Sequence, residues 1–355
     1  MERIPFEKLT LANGLDIILH QDRSIPVVSV NVWYHVGSKD EQPGKTGFAH
    51  LFEHLMFEGT KHHNSSHFEP LQKVGATLNG STTTDRTNYW ENVPPDYLEL
   101  ALWLEADRMG FLLEALDQKR LDIQRDVVKN ERRQSYENRP YGIASLNLQE
   151  AIYPLPHPYH WPVIGYMKDL DAASLQDAHN FYRRFYGPTN ASLAIAGDFE
   201  IDEVRDLAKL YFSDLPGNQT IRKSAPLDAT LPGKVELTLY DKVNLPRCFL
   251  VWPGVPRFHR DEAPLAVLAY ILSGGRSSRL YRTLVYEKQI AQSVNVSSDT
   301  AELAGDFGFD ATVAAGHTTD EVISEALVVI EELRRNLPTS QELIRTKNRI
   351  EWNHV

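Results

Sequence analysis

The sequence has 355 residues, a length that predicts two domains, and its 42% hydrophobic and 24% charged residues are typical of a soluble globular protein. The net charge of −11 disfavours nucleic acid as a partner, and the absence of any apolar run of about 18 residues excludes a membrane-spanning helix. Cys248 is the only cysteine, so neither an intrachain disulfide nor a multi-thiolate zinc site can form.

The first predicted elements are β-strands. Apolar runs at 6–11 and 15–20 flank Asn13-Gly14, which is a strong signal for a hairpin turn. Residues 27–36 are rich in β-branched and aromatic side chains, which predicts a buried strand.

The next element is a predicted helix over residues 47–57 that contains the pattern H-x-x-E-H. His50 and His54 would lie one turn apart on one face, where both can direct a ring nitrogen at one Zn²⁺. Glu53 would be close enough to reach a metal-bound water. The alternative is an amphipathic helix whose two histidines are solvated or hydrogen-bonded in the core. A third ligand is needed to decide between these interpretations.

The segment that follows contains three more histidines, at positions 62, 63 and 67, which we expect to lie in a solvated loop because no periodicity makes them converge. Residues 68–74 predict a short helix, and residues 77–92 predict a strand, a turn and a second strand. Further helices and one strand complete an α+β layered domain; the helices are predicted at 95–113, 117–136, 146–152, 175–186 and 202–212, and the strand at 191–197.

Glu131 on the second of these helices lies 77 residues beyond His54 and is followed by Arg132. With this spacing the sequence resembles the pitrilysin/insulinase family of inverted-motif zinc metallopeptidases, most closely its bacterial two-domain members, which are similar to the β subunit of the mitochondrial processing peptidase. In that family a Glu in this place, followed by a basic residue, is the third ligand. The resemblance also includes the segments Leu11–Leu15, Ala76–Thr83 and Asn138–Gly142.

The resemblance implies a zinc endopeptidase that hydrolyses extended peptides or unfolded segments. It implies one Zn²⁺ per chain, held by His50, His54 and Glu131, with a water in the open position. Glu53 would act as general base towards that water and then as general acid towards the leaving amine.

The strand from residue 77 is expected to offer its edge to the substrate backbone. Asn79 matches the family position that contacts the substrate, and Gly80 and Ser81 beside it are included in the predicted substrate-binding set. The alternative is that Asn79 serves only the turn beside Gly80. The sequence departs from the family at Gln124, where a further Glu often supports the zinc helix from behind the ligands.

We expect a catalytic domain at 1–215, a Pro- and Gly-containing linker at 216–233, and an inactive homologous domain at 234–355 that is incomplete at its C-terminal end. The second domain repeats the first without metal ligands, with strands predicted at 235–240 and 248–252 and helices at 263–272, 319–336 and 341–350. The fold class is therefore α+β, with two homologous layered domains built from antiparallel-rich sheets and packed helices.

Many relatives carry an Arg and a Tyr, seven residues apart, in the inactive half, where they grip the substrate backbone. Here Gln292 stands in the Tyr place, and Arg279 and Tyr286, although seven apart, lie too early in the sequence. We therefore expect a heterodimer in which a zinc-less homologue supplies the clamp. The alternative is a homodimer that uses Arg279, Arg282 or Tyr286.

A different class of function is also open, because some relatives keep this fold as a non-catalytic scaffold. Such relatives usually lose the zinc ligands, whereas this chain keeps all three and Glu53. The N-terminal residues lack the apolar core of a signal peptide. We expect a cytoplasmic protein, or a periplasmic one if an export signal has been removed from this sequence.

Overall fold

The computed structural model describes residues 4–218, 225, 227, 229–231 and 233–352. Their contacts divide the chain into two compact units. Unit 1 comprises Met1–Ser135 and Trp161–Lys223, and unit 2 comprises Tyr136–His160 and Ser224–Val355. The predicted linker at 216–233 lies partly outside the described residues, so its boundaries stay a prediction.

Unit 1 contains a six-stranded sheet whose strands occur where the sequence predicts them. The strands are β1 (Glu7–Thr10), β2 (Asp16–Gln21), β3 (Val28–Tyr34), β4 (Thr77–Thr82), β5 (Thr87–Val93) and β6 (Ala191–Gly197). Their spatial order is β1-β2-β6-β3-β5-β4, with β2 and β6 parallel and the other pairs antiparallel.

The alternation of side chains along β3 explains its place inside the sheet. Val28, Val30, Val32 and Tyr34 are fully buried, and the residues between them are half-buried. Each such aliphatic side chain stabilises the fold by about 1.5–3 kcal/mol when it leaves water. The hairpin that joins β1 to β2 turns at Gly14, whose φ of 93° is easily adopted only by glycine.

Helices pack against this sheet. Aromatic rings take part in the packing between helices, as where Phe52 stacks on Phe181 at a centroid distance of 5.6 Å. The helices of unit 1 are α1 (Phe48–Leu55), α2 (Phe68–Lys73), α3 (Leu98–Phe111), α4 (Gln118–Arg132), α6 (Met167–Ala172), α7 (Leu175–Phe185) and α8 (Ile201–Phe212). The helix between α4 and α6 in sequence, α5 (Gly142–Ile152), belongs to unit 2.

The expected solvated histidine loop is wrong in part. His67 is 3% exposed, and the His62 Nδ1 atom lies 2.5 Å from the Asp107 carboxylate. The loop is held down because α3 supplies a buried carboxylate that also accepts a hydrogen bond from Thr60. Long-range partners of this kind leave no periodic signal in the sequence.

Unit 2 contains a three-stranded antiparallel sheet in the order β7-β9-β8. After α5, its elements are β7 (Arg247–Pro253), α9 (Glu262–Ser273), a π-helical segment (Tyr281–Glu287), β8 (Ala291–Thr300), β9 (Gly305–Val313), α10 (Thr319–Arg335) and α11 (Ser340–Trp352). The succession strand, helix, short helix, hairpin and two helices is the same as that of β3, α1, α2, β4, β5, α3 and α4 in unit 1, and the spatial order β3-β5-β4 is repeated too. The predicted α+β class with an internal repeat is confirmed.

Two features of unit 2 differ from the sequence-based prediction. Residues 235–240 form no strand, because nothing among the described residues pairs with them, and Tyr240 is 90% exposed. Strands β8 and β9 were not predicted, since β8 is largely polar and β9 contains two glycines and two aspartates. Among the described helices, none combines the length and apolarity that crossing a bilayer requires.

Candidate metal centre and its edge strand

Helix α1 presents two different faces. One face packs into the core through side chains that include Phe48, Leu51 and Phe52, all at most 2% exposed. His50, Glu53 and His54 project on the other side. The i, i+4 spacing brings the two imidazole rings to a centroid separation of 4.9 Å, nearly perpendicular to each other.

The start of α1 is capped by a side chain that the sequence analysis did not identify. Glu41 is 7% exposed, and its two carboxylate oxygens accept hydrogen bonds of 2.8 Å from the backbone N–H groups of Gly47 and Ala49. A carboxylate at this helix terminus satisfies otherwise unpaired amides and complements the helix dipole. Burial raises the pKa of Glu41, and the two amide hydrogen bonds oppose that rise.

A turn around Gly165 connects the start of α1 with the end of α4. Gly165 lies so close to Gly47 that a Cβ added at Gly165 would be 2.5 Å from the Gly47 Cα. The carbonyl of Gly165 accepts a hydrogen bond of 2.6 Å from Nη1 of Arg132, the residue that follows Glu131. The Asp169 carboxylate accepts a 2.8 Å hydrogen bond from the Thr46 hydroxyl. The two helices that carry the candidate ligands are thus joined through one tight turn.

The three predicted ligands converge. Glu131 Oε2 lies 3.6 Å from His50 Nε2 and 3.4 Å from His54 Nε2, and the potential ligand atoms all lie within 4.8 Å of one another. Burial lowers the pKa of His50 to about 4, with the neighbouring His54 contributing. The hydrogen bond from His54 lowers the pKa of Glu131. Near neutral pH, His50 is therefore neutral and Glu131 is ionised, and these are the protonation states that bind a metal.

Two imidazole nitrogens and one carboxylate oxygen are a donor set that suits Zn²⁺, and the fit is supported by exposure. The Glu131 side chain is 40% exposed, so a metal held there would remain open to water and substrate. A second convergent group of described residues, His67, Glu91 and Glu105, differs on this point. All three are at most 3% exposed, and Arg108 already forms a bidentate ion pair with Glu105. That group suits a closed core better than a catalytic metal.

Glu53 stands beside the ligands but faces strand β4. Thr82 Oγ1 donates a hydrogen bond of 2.5 Å to Glu53 Oε2. Burial raises the pKa of Glu53, and the hydrogen bond from Thr82 acts in the opposite direction. Gly80 on the same strand leaves room for this carboxylate, because a Cβ there would lie 3.1 Å from Glu53 Cγ.

Strand β4 is an edge strand of the unit 1 sheet. In its hairpin with β5, the N–H of Thr83 donates to the carbonyl of Arg86, so these two residues form a hydrogen-bonded pair. Along an antiparallel ladder, every second residue of β4 is hydrogen-bonded to β5, and the residues between them are not. By that alternation the backbone groups of Leu78, Gly80 and Thr82 point away from β5, towards the open edge. The Asn79 side chain accepts a hydrogen bond of 2.8 Å from the N–H of Gly80.

Two predicted residues take places that the sequence did not specify. Gln124 is 8% exposed and donates to Glu58 Oε1 at 2.8 Å, so it links α4 to the segment after α1. Ser81 donates a hydrogen bond to Asn88 on β5. No sequence pattern marks Glu41 or Thr82, because Glu41 is an acidic residue in a polar loop and Thr82 belongs to a run of four hydroxyl residues.

Comparison with known proteins defines the class. Residues 16–157 match the family model described as Insulinase (Peptidase family M16), and residues 172–350 match the model described as Peptidase M16 inactive domain. The chain therefore belongs to peptidase family M16. The second match covers the half in which the sequence has no H-x-x-E-H pattern.

Particular relatives support this membership. The chain is similar to zinc protease PqqE of Helicobacter pylori, with 31% identity over 96% of this chain and 77% of that protein. It is also similar to an uncharacterized zinc protease of Mycobacterium leprae, ML0855, with 30% identity over 91% of this chain and 73% of the relative.

Solved structures show the same fold. A crystal structure of a protease from Helicobacter pylori gives a TM-score of 0.88 at 29% identity and covers 99% of this chain and 85% of that chain. A peptidase M16 inactive domain from Pseudomonas fluorescens gives a TM-score of 0.84 at 20% identity and covers 98% of this chain and 83% of that chain.

The cap on α1 generates a prediction for Glu41. Glu41→Ala should lower the free energy of unfolding by about 2–4 kcal/mol, because two backbone N–H groups at the start of α1 lose their hydrogen-bond acceptor. Glu41→Gln keeps one oxygen acceptor and should cost about half as much. Urea unfolding of the purified variants measures both values. Glu203→Ala, an exposed acidic residue in the first turn of α8, serves as the control and should stay within about 0.5 kcal/mol. A Glu41→Ala variant as stable as the control would contradict the assignment of the cap.

Proposed function

We propose that this chain is a zinc-dependent peptidase that hydrolyses peptide bonds in extended peptides or unfolded segments. The observation that carries the proposal is the convergence of His50, His54 and Glu131 on one open site with Glu53 beside them. Family membership and the zinc protease relatives support the same class of activity.

In this proposal His50, His54 and Glu131 hold the zinc. When bound, zinc supplies a Lewis acid that polarises the scissile carbonyl and lowers the pKa of water. Glu53 takes a proton from the attacking water and delivers it to the leaving amine. Its half-buried position, which raises the pKa of the carboxyl, favours holding that proton between the two transfers.

The substrate would bind as an additional strand on the open edge of β4. The outward backbone groups of Leu78, Gly80 and Thr82 can pair with an extended peptide whatever its side chains. Asn79 would have to release the N–H of Gly80 for this pairing, which gives it a direct part in substrate binding. Main-chain recognition of this kind favours unfolded segments over folded domains.

The first prediction of the proposal concerns the metal. The purified protein should hold about one zinc per chain, and His50→Ala and Glu131→Gln should each lose most of it, because each removes one of three ligands. Metal analysis by mass spectrometry, with peptide cleavage measured before and after chelation, tests this. His63→Ala is the matched control, because the His63 ring forms hydrogen bonds with Ser65 and Ser66 of its own loop. This variant should keep its zinc. Undiminished zinc in both ligand variants would rule the site out.

We also propose that the chain works as the catalytic subunit of a heterodimer with a zinc-less homologue. Arg279, one candidate for a clamp in a homodimer, is bound to Glu342 at 2.9 Å and also donates to the carbonyl of Asn336. Arg282 and Tyr286 are exposed, with Arg282 paired to Glu287, so they are the residues of unit 2 through which a homodimer would have to act.

The heterodimer generates the second prediction. Adding the zinc-less homologue from the same genome should raise kcat/KM on a quenched-fluorescence peptide by about tenfold or more, because the partner positions the substrate backbone. Arg282→Ala should leave that increase unchanged. If the chain alone is fully active, and neither the homologue nor Arg282→Ala alters its rate, the heterodimer is excluded. Loss of activity in Arg282→Ala would favour the homodimer.

A further inference from the structure

Strand β4 has a second role besides forming the open edge. Side chains two residues apart on a strand share a face, so Gly80 and Thr82 lie on the same face of β4. That face is directed towards α1, as the contacts of both residues with Glu53 show. Gly80 and Thr82, whose backbone groups would pair with a substrate, therefore also lie against the Glu53 side chain.

We propose that Thr82 is a positioning residue that orients the Glu53 carboxylate for proton transfer, and that this role rests on the peptidase function proposed above. The hydroxyl of Thr82 is the donor to Glu53 Oε2, at 2.5 Å. With Oε2 engaged, rotation of the carboxylate about its last side-chain bond is restricted, and Oε1 is the oxygen that exchanges the proton.

The space around Glu53 favours one orientation as well. Gly80 lies under the Glu53 side chain, where its missing Cβ would otherwise be 3.1 Å from Cγ of Glu53 and 3.2 Å from the ring of Phe57. Glycine at position 80 thus lets the carboxylate reach Thr82. Precise orientation of a proton-transfer group strongly affects the rate, because a small displacement misaligns it with the reacting atoms.

The position of Thr82 is itself well fixed. Thr82 is paired with Thr87 on β5, and the Thr87 hydroxyl donates to the carbonyl of Val36 at 2.9 Å in the core. Arg86, at the end of the hairpin, donates to the carbonyl of Ser81 at 2.7 Å and lies over the ring of Trp33. The hairpin is therefore anchored on both sides of Thr82, and the hydroxyl is held at a fixed place relative to α1.

The test compares two substitutions of Thr82 with one control substitution elsewhere in the sheet. Thr82→Val keeps the branched shape and removes the hydroxyl, and it should lower kcat by about 10- to 100-fold with KM within about twofold of wild type. Thr82→Ser keeps the donor and should restore kcat to within about threefold of wild type. Thr10→Val removes a hydroxyl that donates to the Asp16 carboxylate near the opposite edge of the sheet, so it is the matched control and should behave as wild type. Zinc content and thermal stability are measured for each variant.

The outcomes separate the two proposals. If wild type cleaves a quenched-peptide library and Thr82→Val does so with an unchanged kcat, the positioning role is overturned while the peptidase function stands. A loss in Thr82→Val that Thr82→Ser shares fully would also overturn it, because the hydroxyl would not be the cause. If wild-type protein carrying zinc cleaves no peptide of the library, the proposed function fails, and the role of Thr82 fails with it.

Discussion

The candidate site depends on the close approach of two backbones, at Gly47 and Gly165. Both residues have positive φ angles, of 88° and 74°, and no side chain fits between them. Gly47 begins the helix of the two histidines, and the carbonyl of Gly165 binds the arginine next to Glu131. One turn therefore determines the distance between ligands that are far apart in sequence. The Glu41 carboxyl group caps the same end of α1 by accepting hydrogen bonds from two of its backbone N–H groups.

Charge and exposure distinguish the candidate centre from the rest of unit 1. The core contains another convergent group, His67, Glu91 and Glu105, but Arg108 neutralises part of its charge and lies over the ring of Tyr89 at 4.3 Å. The hydroxyl of Tyr89 in turn donates to the carbonyl of Phe52 in α1. Tyr89 thus connects the buried group to α1, whereas the open group lies beside Glu53, which faces the edge strand. A search for ligand types alone would not separate the two.

The sequence selects the three candidate ligands from local spacing and one family motif, and the structure brings their side chains together. It also predicted every strand of unit 1, and in β3 and β6 buried and half-buried residues alternate cleanly. It failed where partners are distant: Thr82 binds Glu53 across 29 positions, and no pattern in a run of hydroxyl residues marks one of them. In unit 2 the pattern at 235–240 predicted a strand, but a strand requires a neighbour, and β8 with its polar residues gave no signal.

In the proposed mechanism Glu53 carries the proton while other residues hold the zinc, and one variant separates these two roles. Glu53→Gln should retain about one zinc per chain, because the substitution removes no ligand, and it should lose about 10²- to 10⁴-fold in kcat, because the amide cannot accept the proton. Zinc content and peptide turnover are measured on the same preparation. A Glu53→Gln protein that holds zinc and cleaves peptides at the wild-type rate would rule out Glu53 as the proton carrier.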